Sequence, residues 1–324
     1  MTTGRALRTR LLFSAFGQHT TQVIPVTIIK ERLMIIDFRI RPPFKSFRET
    51  GLFKAWNNPP SSGAFALMAE GREPVISAKT GDYGQFMAEL DEAGIDLGVI
   101  VGRFTKTDSV GSGNVTPEEI LDFMNLYPGR FMGMPALDPT APDALAQVRR
   151  MKSLGMKGIC VEPFWLDKCY RVNDPCLMDF YRAVEEEKMT LVITLNWLCG
   201  NDTSWNEPKD IEDIAIACPR LNIVVPHSCY PKLVEFMAIM VRYPNIYSLP
   251  DSYFYFPFIN TVDDQILMYN HMLQDQVLFA SSYPIRGVGQ ALRESLDRPW
   301  LPIPKEKFLW KNAAKLLGLD LPSA

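Results

Sequence analysis

The chain has only three histidines, and none of its six cysteines forms a Cys-x-x-Cys pair. That argues against a zinc ribbon and against a disulfide framework, and the cysteines read as reduced thiols of a cytoplasmic protein. An excess of either charge is also missing. Lys and Arg number 34 against 37 Asp and Glu, a net charge of −3, which gives no footprint for a nucleic-acid partner. There is no Walker-type phosphate loop and no internal repeat. The first strong strand runs into Arg39-Ile40-Arg41-Pro42-Pro43 rather than a glycine-rich turn, which argues against a doubly wound open sheet. What is present is a core-forming composition, 47% hydrophobic and 22% charged, which excludes disorder, collagen and coiled coil.

The first 33 residues differ from the rest. Arg5, Arg8, Arg10, Lys30 and Arg32 face one acid, Glu31, so this stretch carries +4 and leaves −7 for residues 34–324. Its longest apolar run, Leu11-Leu12-Phe13, is too short for a secretory core or a membrane span, and no membrane partner is expected. Residues 1–33 read as an extension, either a leader or a start-site error with translation beginning at Met34.

From Met34 onward, short apolar runs alternate with helical patterns. The runs are 34–38, 97–101, 131–135, 158–161, 191–195, 223–225, 246–249 and 277–280. Between them, Thr116-Pro117-Glu118-Glu119 supplies an N-cap, a first-turn proline and dipole-matched acids. Residues 144–154 close at Gly155, 177–188 and 233–241 repeat apolar residues at helical spacing, and 306–317 end at Gly318. Eight strands alternating with helices predict an α/β fold, a (β/α)8 TIM barrel spanning 34–320. The segment 42–80 is a long insertion after the first strand and is expected to act as a lid.

In such a barrel chemistry gathers at the carboxyl ends of the strands, and that list is polar here: Arg39, Arg41, Arg103, Asp138, Glu162, Asn196, His227, Asp251, Ser282 and Arg286. Arg39 and Arg41 are two apart on an extended segment, so both leave one face, while Phe38 and Ile40 take the other. Two adjacent guanidinium groups call for an anion or carboxylates between them, because arginine does not neutralise itself by losing a proton. His271 falls within a helix expected over 262–273, where a surface or capping role is the default. Tyr253 and Tyr255 are expected to alternate on an extension of the seventh strand, and Cys160 and Cys229 read as buried thiols.

Four segments resemble the amidohydrolase-related proteins typified by aminocarboxymuconate semialdehyde decarboxylase. They are residues 34–41 (Met-Ile-Ile-Asp-Phe-Arg-Ile-Arg), 224–227 (Val-Val-Pro-His), 278–284 (Leu-Phe-Ala-Ser-Ser-Tyr-Pro) and 308–317, with the Asn-Ala-x-x-Leu core of a closing helix. The resemblance implies a divalent metal, usually zinc, held by first-strand histidines, a fifth-strand histidine and an eighth-strand aspartate. Those positions here carry Arg39, Arg41, Leu195 or Asn196, and Ser282. Guanidinium has no lone pair to donate, so no metal and no other cofactor is expected. The sixth-strand histidine, an acid/base in decarboxylases of this family, is retained as His227.

The leading expectation is therefore a metal-independent enzyme acting on a small anionic substrate that carries a carboxylate. His227 would move the proton, and Asp251 or Glu162 would orient it or activate water. Arg39, Arg41, Arg103, Asn196, Ser282 and Arg286 would bind substrate. Hydrolysis of a lactone or similar acyl bond leads, and nonoxidative decarboxylation follows. A non-catalytic barrel binding an anion or a protein partner is the alternative of another class. A homodimer is expected from the family alone.

Overall fold

The computed structural model describes residues 33–107, 112–256, 259 and 261–319. The N-terminal extension, apart from Leu33, and His19 lie outside the described residues.

Among the described residues seven strands are regular: β1 Ile36–Ile40, β2 Leu97–Val101, β3 Phe131–Met134, β4 Gly158–Val161, β5 Thr190–Ile193, β6 Ile223–Pro226 and β7 Ile246–Leu249. They pair in parallel as β1-β2-β3 and β4-β5-β6-β7. Nearly every strand residue is buried, as a sheet covered on its outer face by helices and filled on its inner face requires. Cys160 N donates to Pro135 O at 2.9 Å and Leu137 N to Cys160 O at 3.1 Å, which joins the two sheets.

The ring closes through residues 277–280, expected as an eighth strand. Leu278 N donates to Ser248 O at 3.1 Å and Phe38 N to Phe279 O at 2.9 Å, so this segment lies between β7 and β1. It is not a regular strand, because Phe279 N turns away to Phe308 O at 3.0 Å. The first strand is also displaced from its expected span of 34–38. Ile35 bonds instead to Asp96, through Ile35 N to Asp96 Oδ2 at 2.8 Å and Asp96 N to Ile35 O at 3.0 Å.

The insertion holds three short helices, α1 Gly51–Asn57, α2 Ala64–Met68 and α3 Ile76–Thr80. Around the barrel follow α4 Tyr83–Ala93, α5 Pro117–Leu126, α6 Ala144–Ser153, α7 Met178–Glu186, α8 Pro208–Ala217 and α9 Leu233–Arg242. The chain continues through α10 Ser252–Tyr255, α11 Val262–Asn270, α12 Val288–Leu296, α13 Pro302–Glu306 and α14 Asn312–Leu317, with a π-helical turn at Lys307–Lys311. The capping signal at Thr116 is realised in both directions: Glu119 N donates to Thr116 Oγ1 at 3.3 Å and Thr116 N to Glu119 Oε2 at 2.9 Å. The helix expected over 262–273 stops at Asn270, which leaves His271 at its C-cap.

The insertion, which shows no clear period in sequence, docks on the loop that follows residue 280 and on α12. Trp56 Nε1 donates to Pro284 O at 2.8 Å, Gln290 Nε2 to Gly71 O at 2.7 Å, and Arg72 stacks over the Trp56 ring at 3.6 Å. At the end of β2, an added Cβ on Gly102 would stand 2.4 Å from Ala136 N. Glycine is what lets this strand end approach the next and set Arg103 at the mouth.

Candidate active site

Asp37 and Arg39 on the inward face of β1, and Arg41 just past its end, follow a spacing of two and are all buried. Arg39 reaches three elements distant in sequence. Its Nη1 donates to Asp251 Oδ2 at 2.8 Å, to Ser282 Oγ at 3.1 Å and, more weakly, to His227 Nε2 at 3.4 Å. His227 Nδ1 lies 2.7 Å from Asp251 Oδ1. Guanidinium only donates, so Nε2 carries the lone pair and Nδ1–H is the proton given to Asp251. Burial pushes the His227 pKa down, aided by the charges of Arg39 and Arg41, and Asp251 only partly opposes this. The imidazole is therefore neutral at physiological pH. Burial works to raise Asp251, but the neighbouring His227 and Arg39, with their hydrogen bonds, hold its carboxyl below the usual range.

The turns bearing these groups are strained. His227, Ser228 and Cys229 have φ of 67°, 52° and 56°, Asp251 has 40° and Ser282 has 55°, all in the left-handed region that L side chains avoid. The surroundings over-determine the turns: Ser228 Oγ is 2.6 Å from Ser248 Oγ, itself 2.6 Å from the Tyr269 hydroxyl, and Ser252 N donates to Asp251 Oδ1.

On the opposite side, Arg103 Nη1 donates to Glu162 Oε1 at 2.6 Å and the guanidinium lies over the Trp165 ring at 4.1 Å. Glu162 Oε2 is buried with no hydrogen-bond partner. Arg41 is 1% exposed, and its Nε, Nη1 and Nη2 all lack a partner. Burial, then Arg39 and Arg103, push its pKa down to about 9, with Glu162 opposing, so it stays charged at neutral pH.

Two expected ligand-binding residues are engaged elsewhere. Asn196 spends its side-chain oxygen on Leu198 N at 2.7 Å, within its own turn. Arg286 is turned to the insertion, donating to Glu70 O at 2.9 Å with its Nε 3.4 Å from Glu294 Oε2. Asp138 caps Thr140 and meets Lys106 at 3.0 Å. Tyr253 and Tyr255 belong to α10 rather than to an extended strand, because the chain turns sharply at Asp251. Tyr253 packs edge-on to His227 at 5.0 Å, stacks on Tyr230 at 4.9 Å, and accepts a hydrogen bond from Trp197 Nε1 at 2.6 Å. Burial holds the Cys160 thiol up at about 12 and the Cys229 thiol well above its ordinary value, so both are protonated.

Sequence reasoning missed Asp37, although the spacing of two that picked out Arg39 and Arg41 also reaches it. Its Oδ1 accepts from Ser281 N at 3.0 Å and Arg39 N at 3.2 Å, while Oδ2 is unpaired. Burial raises its pKa to about 6 against these hydrogen bonds. The aromatic wall of Trp197 and Tyr230 was missed too, since nothing local in sequence ties either to His227.

The donor set does not fit the divalent metal that the resemblance implies. Guanidinium groups stand at the two first-strand positions, Ser282 accepts from one of them, and the Asn196 oxygen is committed to a backbone N–H. Among the described residues no three His, Cys, Asp or Glu side chains gather as a metal set.

No curated protein matches the chain. The amidohydrolase family model matches residues 69–319. An uncharacterised TIM-barrel protein from Bordetella bronchiseptica is 27% identical, covering 88% of this chain and 99% of its own, with a TM-score of 0.79. The 5-carboxyvanillate decarboxylase of Sphingomonas paucimobilis is 15% identical, covering 89% and 100%, with a TM-score of 0.61. A probable 2-pyrone-4,6-dicarboxylic acid hydrolase from Acinetobacter baumannii, with citric acid bound, is 15% identical, covering 88% and 99%, with a TM-score of 0.57. Barrel architecture, closing helix and matched span agree, and the chain is a member of the amidohydrolase family, among whose structural relatives are hydrolases and decarboxylases.

Proposed function

We propose that this protein is a metal-independent enzyme that hydrolyses a lactone or similar acyl bond in a small carboxylate-bearing molecule. The observation that carries the reading is the neutral His227, hydrogen-bonded to Asp251 through Nδ1 and presenting its Nε2 lone pair beside buried arginines. In the reaction, Nε2 takes a proton from water as the water oxygen bonds to the acyl carbon. Asp251 holds the ring and stabilises the imidazolium, in the orienting role familiar from hydrolytic triads. The positive field of the buried arginines stabilises the developing oxyanion in a site closed to solvent, where fixed charges act strongly. The acyl C–O bond then breaks, and the leaving alkoxide recovers the proton from His227.

The likeness in fold to a pyrone dicarboxylate hydrolase is consistent with this substrate class. We read the insertion as the cover of the mouth, supported by its ties to the loop that also carries Ser282. Decarboxylation is the second reading, supported by the retained His227 and the likeness to 5-carboxyvanillate and 2,6-dihydroxybenzoate decarboxylases. It ranks lower because protonating carbon calls for an imidazolium, which burial disfavours here. A guanidinium gripping the carboxylate would also stabilise the group that must leave as neutral CO2.

The test is a panel of carboxylate-bearing lactones. Turnover insensitive to chelators, falling by about 10²-fold or more in His227→Gln, is expected. An undiminished His227→Gln enzyme, or stoichiometric zinc with activity lost to chelators, would overturn the reading.

A further inference from the structure

The two first-strand arginines are equally buried, yet they stand in opposite conditions. Arg39 leaves its Nε unpaired but sets Nη1 against three partners, which follow β6 and β7 and lie in the closing segment. Arg41 has a fixed backbone, its N donating to Tyr283 O at 3.1 Å, and a guanidinium with three unpartnered nitrogens. Its charged surroundings are adverse, since Arg39 and Arg103 repel it. Glu162, the nearby counter-charge, has already given Oε1 to Arg103 at 2.6 Å. At neutral pH Arg41 keeps its proton, so an enclosed, unsatisfied fork destabilises the fold and is compensated by an anion that fills it. A planar fork with every donor free matches a carboxylate gripped through two parallel hydrogen bonds.

We propose that Arg41 is the docking point for the substrate's carboxylate, and that Arg39 instead acts as a positioning residue that holds the Asp251–His227 pair. This rests on the reading of the protein as an enzyme for carboxylate-bearing substrates, and it assigns recognition and proton transfer to different arginines.

The test is thermal unfolding of the whole chain with acetate, benzoate or malonate at matched ionic strength, against chloride. At least one carboxylate is expected to raise the wild-type melting midpoint, and Arg41→Met is expected to abolish that rise. Without any anion Arg41→Met should melt higher than wild type by at least roughly 2–4 °C, because the unsatisfied charge is gone. Arg39→Met should melt lower, because Asp251 loses its partner. The proposal is overturned if none of the three anions stabilises the wild type, if Arg41→Met keeps the response, or if Arg41→Met melts below wild type without anion. His227→Gln separates the two readings. Arg41-dependent binding that persists in His227→Gln, in a protein that turns over no lactone or carboxylate, would sink the catalytic reading and leave docking intact. Turnover by Arg41→Met with unchanged KM would sink docking and leave catalysis intact.

Discussion

The two sides of the barrel mouth are built on different terms. The side formed by β6, β7 and residues 277–282 places left-handed, non-glycine residues at His227, Asp251 and Ser282 and knits them to Arg39. The side formed by β2 and β4 sets one ion pair, Arg103–Glu162, on ordinary backbone, with φ of −136° at Glu162. Strain is maintained where a network of hydrogen bonds holds it, and that is also where the neutral imidazole stands. On the β2 and β4 side the charges are balanced more simply, and one carboxylate oxygen is left over.

Asp251→Asn should break the contrast most severely. It removes the charge facing both Arg39 and His227, and we expect about 10²–10⁴-fold loss of kcat with about 3–5 kcal/mol lost in urea unfolding. If kcat stays within a few-fold of wild type, Asp251 is a structural counter-ion alone. Glu162→Gln should cost less, about 1–3 kcal/mol by the same measurement, because Arg103 keeps the Trp165 face. A loss equal to that of Asp251→Asn would erase the distinction between the two sides.

The pH dependence separates the carboxyls further. Asp37 is raised to about 6, so the folded state holds its proton better than the unfolded state does, and this contribution is lost as pH rises through about 6. Asp251 and His227 are both lowered, so their contributions are present near neutral pH and fall away on acidification. Asp37→Asn should therefore stabilise the protein by about 2 kcal/mol at pH 8 and by much less near pH 4. A difference independent of pH between these values would show that Asp37 titrates normally. The smallest effect is expected at Lys188, which has φ of 54° beyond the end of α7 and no part in the site. Lys188→Gly should gain about 1 kcal/mol with activity unchanged. A similar gain without loss of activity at Cys229→Gly would mean that strain at the mouth is incidental.

Much of the ring was legible in sequence because a strand announces itself locally, by apolar residues bounded by turn formers. Seven of the eight expected runs became regular strands within a residue or two at either end. Residues 277–280 did not, because the choice between ladder and Phe308 O is made by a helix thirty residues away. The same distinction governs the site. Arg39, His227, Asp251 and Ser282 were all named from strand ends, since the barrel collects such residues by geometry. Their mutual pairing, the unpartnered guanidinium of Arg41 and the turn of Arg286 toward Glu70 depend on packing across about 200 residues, which no local pattern encodes. The helices of the insertion escaped notice because each is a turn or two long and the segment is held by bonds to Pro284 and Gln290, more than 200 residues away.

The seam between Phe38 and Phe279 closes the cylinder and also sets the charged residues of its mouth face to face. The His227–Asp251 pair lies wholly in the second half of the chain, but Arg39 reaches it only from the first strand, across that seam. On the proposed reading, turnover reports whether the two ends of the domain have met, and release of that seam would switch the chemistry off before the rest of the sheet had unravelled.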